Sequence, residues 1–146
     1  MAAFLEPGLA AGVGVDDAGG HNGGMRLFCY GTLMVPDVWR RVAGRPRPGR
    51  PARLPGYARC RIAGTPWPAI VARSGAVTEG LLRSGVTAAE LRRLDAWEGR
   101  LYRRVRVEVE TGPGGRWPAW TYIIHPSRRR RLRCGGRTPG VIRRQS

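Results

Sequence analysis

Only one segment of this chain, Thr87 to Gly99, carries a complete set of helix signals, while most other apolar runs are short, rich in Val, Ile and aromatic residues, and closed by Gly or Pro. Thr87 as N-cap and Glu90 three residues later form a capping box, Leu91, Leu94 and Trp97 follow at helical spacing, and Gly99 supplies the stop. Strand and helix therefore do not alternate, which excludes a doubly wound parallel sheet. The pattern predicts an α+β fold: a small mixed β-barrel, or curved antiparallel-rich sheet, with two short helices.

The first strand is expected at Arg26-Leu27-Phe28-Cys29-Tyr30, ending in the tight loop Gly31-Thr32. Pro36 opens a short helix through Val42, with Asp37 near its positive end and Gly44 behind it. Pro46, Pro48, Pro51 and Pro55 exclude helix and confine any strand over 52–58 to an edge or an interrupted ladder. The runs 67–72 and 76–82 read as a hairpin turning at Ser74-Gly75. Beyond the capped helix, Val105, Val107 and Val109 alternate with charged residues in a long strand, and Gly112 to Gly115 turns it into a partner running from Trp117 to Ile124.

The chain has 146 residues, enough for one domain. Residues 1–24 are Gly/Ala-rich with few large side chains and are expected to be a disordered leader; 25–127 form the domain; 128–146 are expected to be a disordered Arg-rich tail. All 26 basic residues are Arg, and the net charge is +16. A field of that size attracts polyanions, so a catalytically idle basic module binding nucleic acid or an acidic partner is one functional reading. The charge extends beyond the tail, since 18 Arg stand against seven acids between Met25 and Ser127. Cys29, Cys60 and Cys134 form no CxxC pair, an odd and scattered set that argues against a disulfide scaffold and for a reducing compartment. With no basic n-region and no run long enough to span a bilayer, a cytoplasmic protein is expected.

Glu98 is the acid that stands out, because it occupies the last turn of the capped helix, where the macrodipole disfavours a carboxylate and raises its pKa toward what a general base needs. The alternative is a surface Glu paired with Arg100 or Arg103, and on pattern alone that alternative is favoured. Tyr30-Gly31-Thr32-Leu33 ends a strand where Gly lets the backbone turn and present successive N–H groups, although on pattern alone a plain turn is the commoner reading. Cys29 with His125 makes a poor nucleophile and base, since Cys29 sits within a strand. His21, His125 and the Cys offer no metal-ligand spacing, and no cofactor is implied. Trp97, Trp117 and Trp120 read as core, with Trp117 or Trp120 a candidate for lining a pocket.

Four pieces in register, Leu27-Phe28-Cys29-Tyr30-Gly31-Thr32-Leu33, Pro66-Trp67-Pro68-Ala69-Ile70-Val71, Leu94-Asp95-Ala96-Trp97-Glu98-Gly99 and Tyr102-Arg103-Arg104-Val105-Arg106-Val107, resemble the γ-glutamylcyclotransferase-like superfamily in its AIG2-like branch, over Arg26 to Ile124. The resemblance implies a small mixed barrel whose pocket is lined by Tyr30, Gly31, Thr32 and Leu33. It further implies Glu98 as catalytic acid/base and Tyr122 as a late aromatic beside the substrate. The implied reaction needs no external nucleophile: the α-amine of a small γ-glutamyl substrate attacks its own γ-carbonyl and releases 5-oxoproline and an amine. The chain departs from many relatives at Trp67, where Tyr is commoner, at Thr32 in place of Ser, and at Leu33 in place of Asn.

Overall fold

A computed structural model describes residues 24–134. Six strands, β1 (Met25–Cys29), β2 (Gly49–Ile62), β3 (Pro68–Val86), β4 (Tyr102–Thr111), β5 (Gly115–Ile124) and β6 (Leu132–Arg133), form one sheet in the order β3-β1-β5-β4-β2-β6. An additional β2–β3 ladder closes the first five into a barrel, which removes the open edges that short strands otherwise expose. Only β1 and β5 run parallel; the other pairs are antiparallel.

Alternation sorts the side chains onto two faces. Phe28, Tyr30, Leu54, Ile70, Leu82, Val109 and Ala119 fill the barrel interior. Leu27, Cys29, Ile62, Ala69, Tyr122 and Ile124 form the other face, covered by α1 (Pro36–Ala43) and α2 (Ala88–Glu98) through Trp39, Ala43, Leu91 and Leu94. The α2 cap is as the sequence predicts: the Glu90 N–H donates to Thr87 Oγ1 at 3.1 Å, and the Thr87 N–H to Glu90 Oε1 at 3.0 Å.

Three expectations are corrected. Ser74-Gly75 is not a hairpin turn: β3 runs unbroken through it, and its two halves pair with β2, Arg61↔Pro68 to Tyr57↔Ala72 and then Pro55↔Val77 onward. Residues 73–76 bulge opposite Gly56, and the true hairpin joins β2 to β3. Strand β2 is accordingly an interrupted ladder but no edge, since β4 and β6 flank its other side. Second, the domain continues past 127. Pro126–Arg131 is a 3-10 turn and β6 pairs with β2, so order extends through Cys134, whereas 135–146, like residues 1–23 of the expected leader, lie outside the described residues. Third, that pairing places Cys134 beside Cys60, Cα atoms 4.4 Å apart, and the two form a disulfide. Among the described residues no helix is long and apolar enough to cross a membrane.

Candidate active site

The site is built where β1 ends. The chain leaves Cys29, turns at Tyr30-Gly31 and enters a 3-10 turn, Thr32–Met34, closed by Met34 N–H to Gly31 O at 2.9 Å and Val35 N–H to Thr32 O at 3.0 Å. The first amides of such a turn, those of Thr32 and Leu33, have no acceptor within it. A Cβ on Gly31 would stand 3.0 Å from Pro68 Cγ, so a larger residue would crowd the loop against the start of β3.

Two arginines hold the loop by its carbonyls. Arg59 Nε donates to Tyr30 O at 3.2 Å. Arg83, only 5% exposed, donates to Leu33 O from Nε at 3.3 Å and from Nη2 at 3.1 Å, and to Met34 O at 2.9 Å. The buried guanidinium is satisfied by carbonyls and by the Trp39 ring face 5.0 Å away. Nothing in local sequence marks Arg83, because the carbonyls it serves lie some 50 positions earlier.

Glu98 is the last residue of α2, and Gly99, with φ 78°, ends the helix there. Its side chain lines a cleft together with Tyr30, Gly31, Thr32, Leu33 and Tyr122, so the fold brings all six sequence-predicted site residues to one place. Pro68, Tyr102, Phe28 and Cys29 complete the walls of this narrow cleft, which is partly open to solvent. Glu98 is 5% exposed and, among the described residues, joins no ion pair; neither Arg100 nor Arg103 neutralises it. Burial away from water, reinforced by the like charge of Asp95 one turn earlier, pushes its pKa up to about 8.

Asp95 is the second acid of this region, and sequence reading passed it over. Arg104 grips it with Nε at 2.8 Å from Oδ1 and Nη2 at 3.1 Å from Oδ2, and the Tyr122 hydroxyl donates to Oδ1 at 2.6 Å. The two carboxyls thus have opposite surroundings: Asp95 is gripped by a bidentate arginine, whereas Glu98 joins no ion pair among the described residues. Around them the tyrosine hydroxyls are fixed as donors: Tyr30 to Tyr122 O at 2.6 Å, Tyr102 to Pro68 O at 2.8 Å. Burial raises the pKa of both phenols, so each keeps its proton.

Burial also pushes the Cys29 thiol up to about 12, and His125 is not a cleft residue; its Nδ1 accepts from the Ser127 N–H at 3.1 Å. The Cys29/His125 pair does not form. Neither Trp117 nor Trp120 lines the cleft: Trp117 donates to Thr111 Oγ1, and Trp120 lies beneath the Arg104 and Arg106 guanidinium groups. Among the described residues no cluster of three His, Cys, Asp or Glu is placed to hold a metal.

A five-stranded mixed barrel with a glycine loop at one strand end and a buried helix-terminal carboxyl in the same cleft defines a class of small barrel proteins. The chain belongs to the gamma-glutamyl cyclotransferase, AIG2-like family, whose sequence profile matches residues 27–138. It is 39% identical over 83 residues to protein AIG2 C of Arabidopsis thaliana, a match covering 57% of this chain and 50% of that one. The chain thus spans about half the length of the curated relatives it matches. Among solved structures it is similar to an Arabidopsis thaliana protein determined in solution, with TM-score 0.64 and 32% identity over 72% of this chain and 74% of that one. It is also similar to a gamma-glutamyl cyclotransferase, with TM-score 0.62 and 17% identity over 70% of this chain and 67% of that one, a likeness that concerns the fold alone.

Proposed function

We propose that the chain is a cofactor-independent γ-glutamylcyclotransferase, which cyclises a γ-glutamyl amino acid or γ-glutamylamine to 5-oxoproline and releases the amine. One observation carries this reading: Glu98, buried and with its pKa pushed up to about 8, shares a cleft with the Tyr30 to Leu33 loop. A carboxyl poised that close to neutrality accepts and returns a proton with little driving force in either direction, as a general acid/base requires.

In this mechanism the Glu98 carboxylate takes a proton from the substrate α-ammonium. The freed amine attacks the γ-carbonyl carbon, a C–N bond closes the five-membered ring, and negative charge gathers on the carbonyl oxygen. The Thr32 and Leu33 amides supply donors for that oxygen or for the substrate carboxylate. Protonated Glu98 then delivers its proton to the leaving nitrogen, the original amide bond breaks, the oxygen regains its double bond, and the ring nitrogen gives up its second proton through the Glu98 carboxylate to the released amine, which departs as an ammonium. Tyr122, fixed by Asp95, and Tyr30 wall the substrate and hold the reacting atoms together, which supplies most of the acceleration in an intramolecular ring closure.

Incubation with a panel of γ-glutamyl dipeptides and γ-glutamylamines, with 5-oxoproline measured directly, tests the reading. Release of 5-oxoproline from at least one compound is expected; a panel without any product overturns it.

A further inference from the structure

Arg59 does more at the cleft than hold the loop. Only its Nε is engaged, on Tyr30 O; the side chain is exposed, and among the described residues its two Nη groups have no hydrogen-bond or ion-pair partner. In the β2–β3 ladder Arg59 faces Ile70 and Arg61 faces Pro68, and directly opposed residues put their side chains on one face of the sheet. Pro68 and Tyr30 line the cleft, so Arg61 opposite the one and Arg59 bound to the carbonyl of the other both stand next to its walls.

Further positive charge is gathered behind them. Arg133 stands directly opposite Arg61 across the β2–β6 pair, and the turn carrying Arg128 to Arg131 is tied to β2 by the Ala63 N–H donating to Arg131 O at 2.8 Å. None of these arginines joins an ion pair among the described residues. Like charges opposed across a ladder cost stability, and an anion between them relieves that cost. The acid of the cleft, Glu98, is buried and pairs with none of these arginines.

We propose that Arg59, assisted by Arg61, binds a carboxylate on the leaving group, so that the preferred substrates are γ-glutamyl amino acids or peptides with an acid group beside the scissile bond rather than neutral γ-glutamylamines. The inference rests on the cyclotransferase reading. With the α-ammonium at Glu98 and the glutamyl portion against the loop, atoms beyond the scissile bond extend toward the open side, where the free edge of the Arg59 fork matches a planar carboxylate.

The test compares γ-glutamyl-alanine with γ-glutamyl-ethylamine, which differ only by that carboxylate, in the wild type, Arg59→Ala and Arg61→Ala. A charge-assisted hydrogen bond predicts kcat/KM higher for the acid by about tenfold or more. Arg59→Ala should bring the ratio close to one, and Arg61→Ala should lower it by a smaller factor. A merely structural Arg59 would slow both compounds equally and leave the ratio unchanged. Should Arg59→Ala fail to fold, Arg61→Ala decides, since it touches no described hydrogen bond. If both compounds are turned over with a wild-type ratio near one, or with a ratio that neither variant moves, the inference is overturned and the cyclotransferase reading stands. If no γ-glutamyl compound yields 5-oxoproline, that reading fails and the inference with it.

Discussion

The Tyr122 hydroxyl donates a 2.6 Å hydrogen bond to Oδ1 of Asp95, and so fixes that side chain one helical turn before Glu98. Asp95 also receives both donors of Arg104, and its charge in turn opposes ionisation of Glu98. The arginine-bound acid thus helps to raise the pKa of its neighbour.

Asp95→Asn keeps an acceptor for Tyr122 but removes the like charge. The Glu98 pKa should fall, and the rising limb of kcat/KM against pH should move to lower pH. Leaving the nearly buried Arg104 without its carboxylate should also destabilise the fold, by about 3 kcal/mol. A pH–rate profile that does not move would show that Asp95 does not tune the acid.

The folded state should lose stability as pH rises. An unfolded carboxyl gives up its proton above its ordinary value of 4.5, whereas folded Glu98 holds its proton until about 8. Between those values the native state binds more protons, so stability falls by up to about 1.4 kcal/mol per pH unit. Denaturant unfolding at several pH values should reveal this slope in the wild type, and Glu98→Gln should abolish it.

Gly31→Ala puts a methyl group 3.0 Å from the Pro68 ring, whose carbonyl is tied to Tyr102. The overpacking should cost about 1–3 kcal/mol, and the displaced loop should lower kcat/KM by about tenfold or more. Thermal melts and steady-state kinetics on one variant check both.

Cys134→Ser removes a crosslink that closes a separation of 74 residues. Stability should drop by about 2–4 kcal/mol, and dithiothreitol should reproduce the loss in the wild type but not in the variant.

What sequence reading recovered was local. The α2 cap, its stop at Gly99, α1 and the β4–β5 turn each rest on residues within a few positions of one another, and all appear in the structure. The failures are long-range pairings. Gly75 has the positive φ of a turn residue, 83°, yet serves a bulge, because both halves of β3 find the same partner in β2. Cys134 reaches Cys60 only through a two-residue strand too short to leave a periodic trace. The site divides in the same way. The loop and Glu98 were pattern-ambiguous and gained their meaning from the family resemblance, while Asp95, Tyr102, Arg59 and Arg83 act through contacts 9 to 50 positions away that no local spacing announces.

The most direct measurement is 5-oxoproline release from the best γ-glutamyl compound of the panel by the wild type and by Glu98→Gln. The substitution keeps the shape of the side chain and removes its ability to carry the proton, so the rate should fall by a factor of about 100 or more while the variant remains folded. Undiminished activity in folded Glu98→Gln would contradict the assignment of Glu98 as the acid/base.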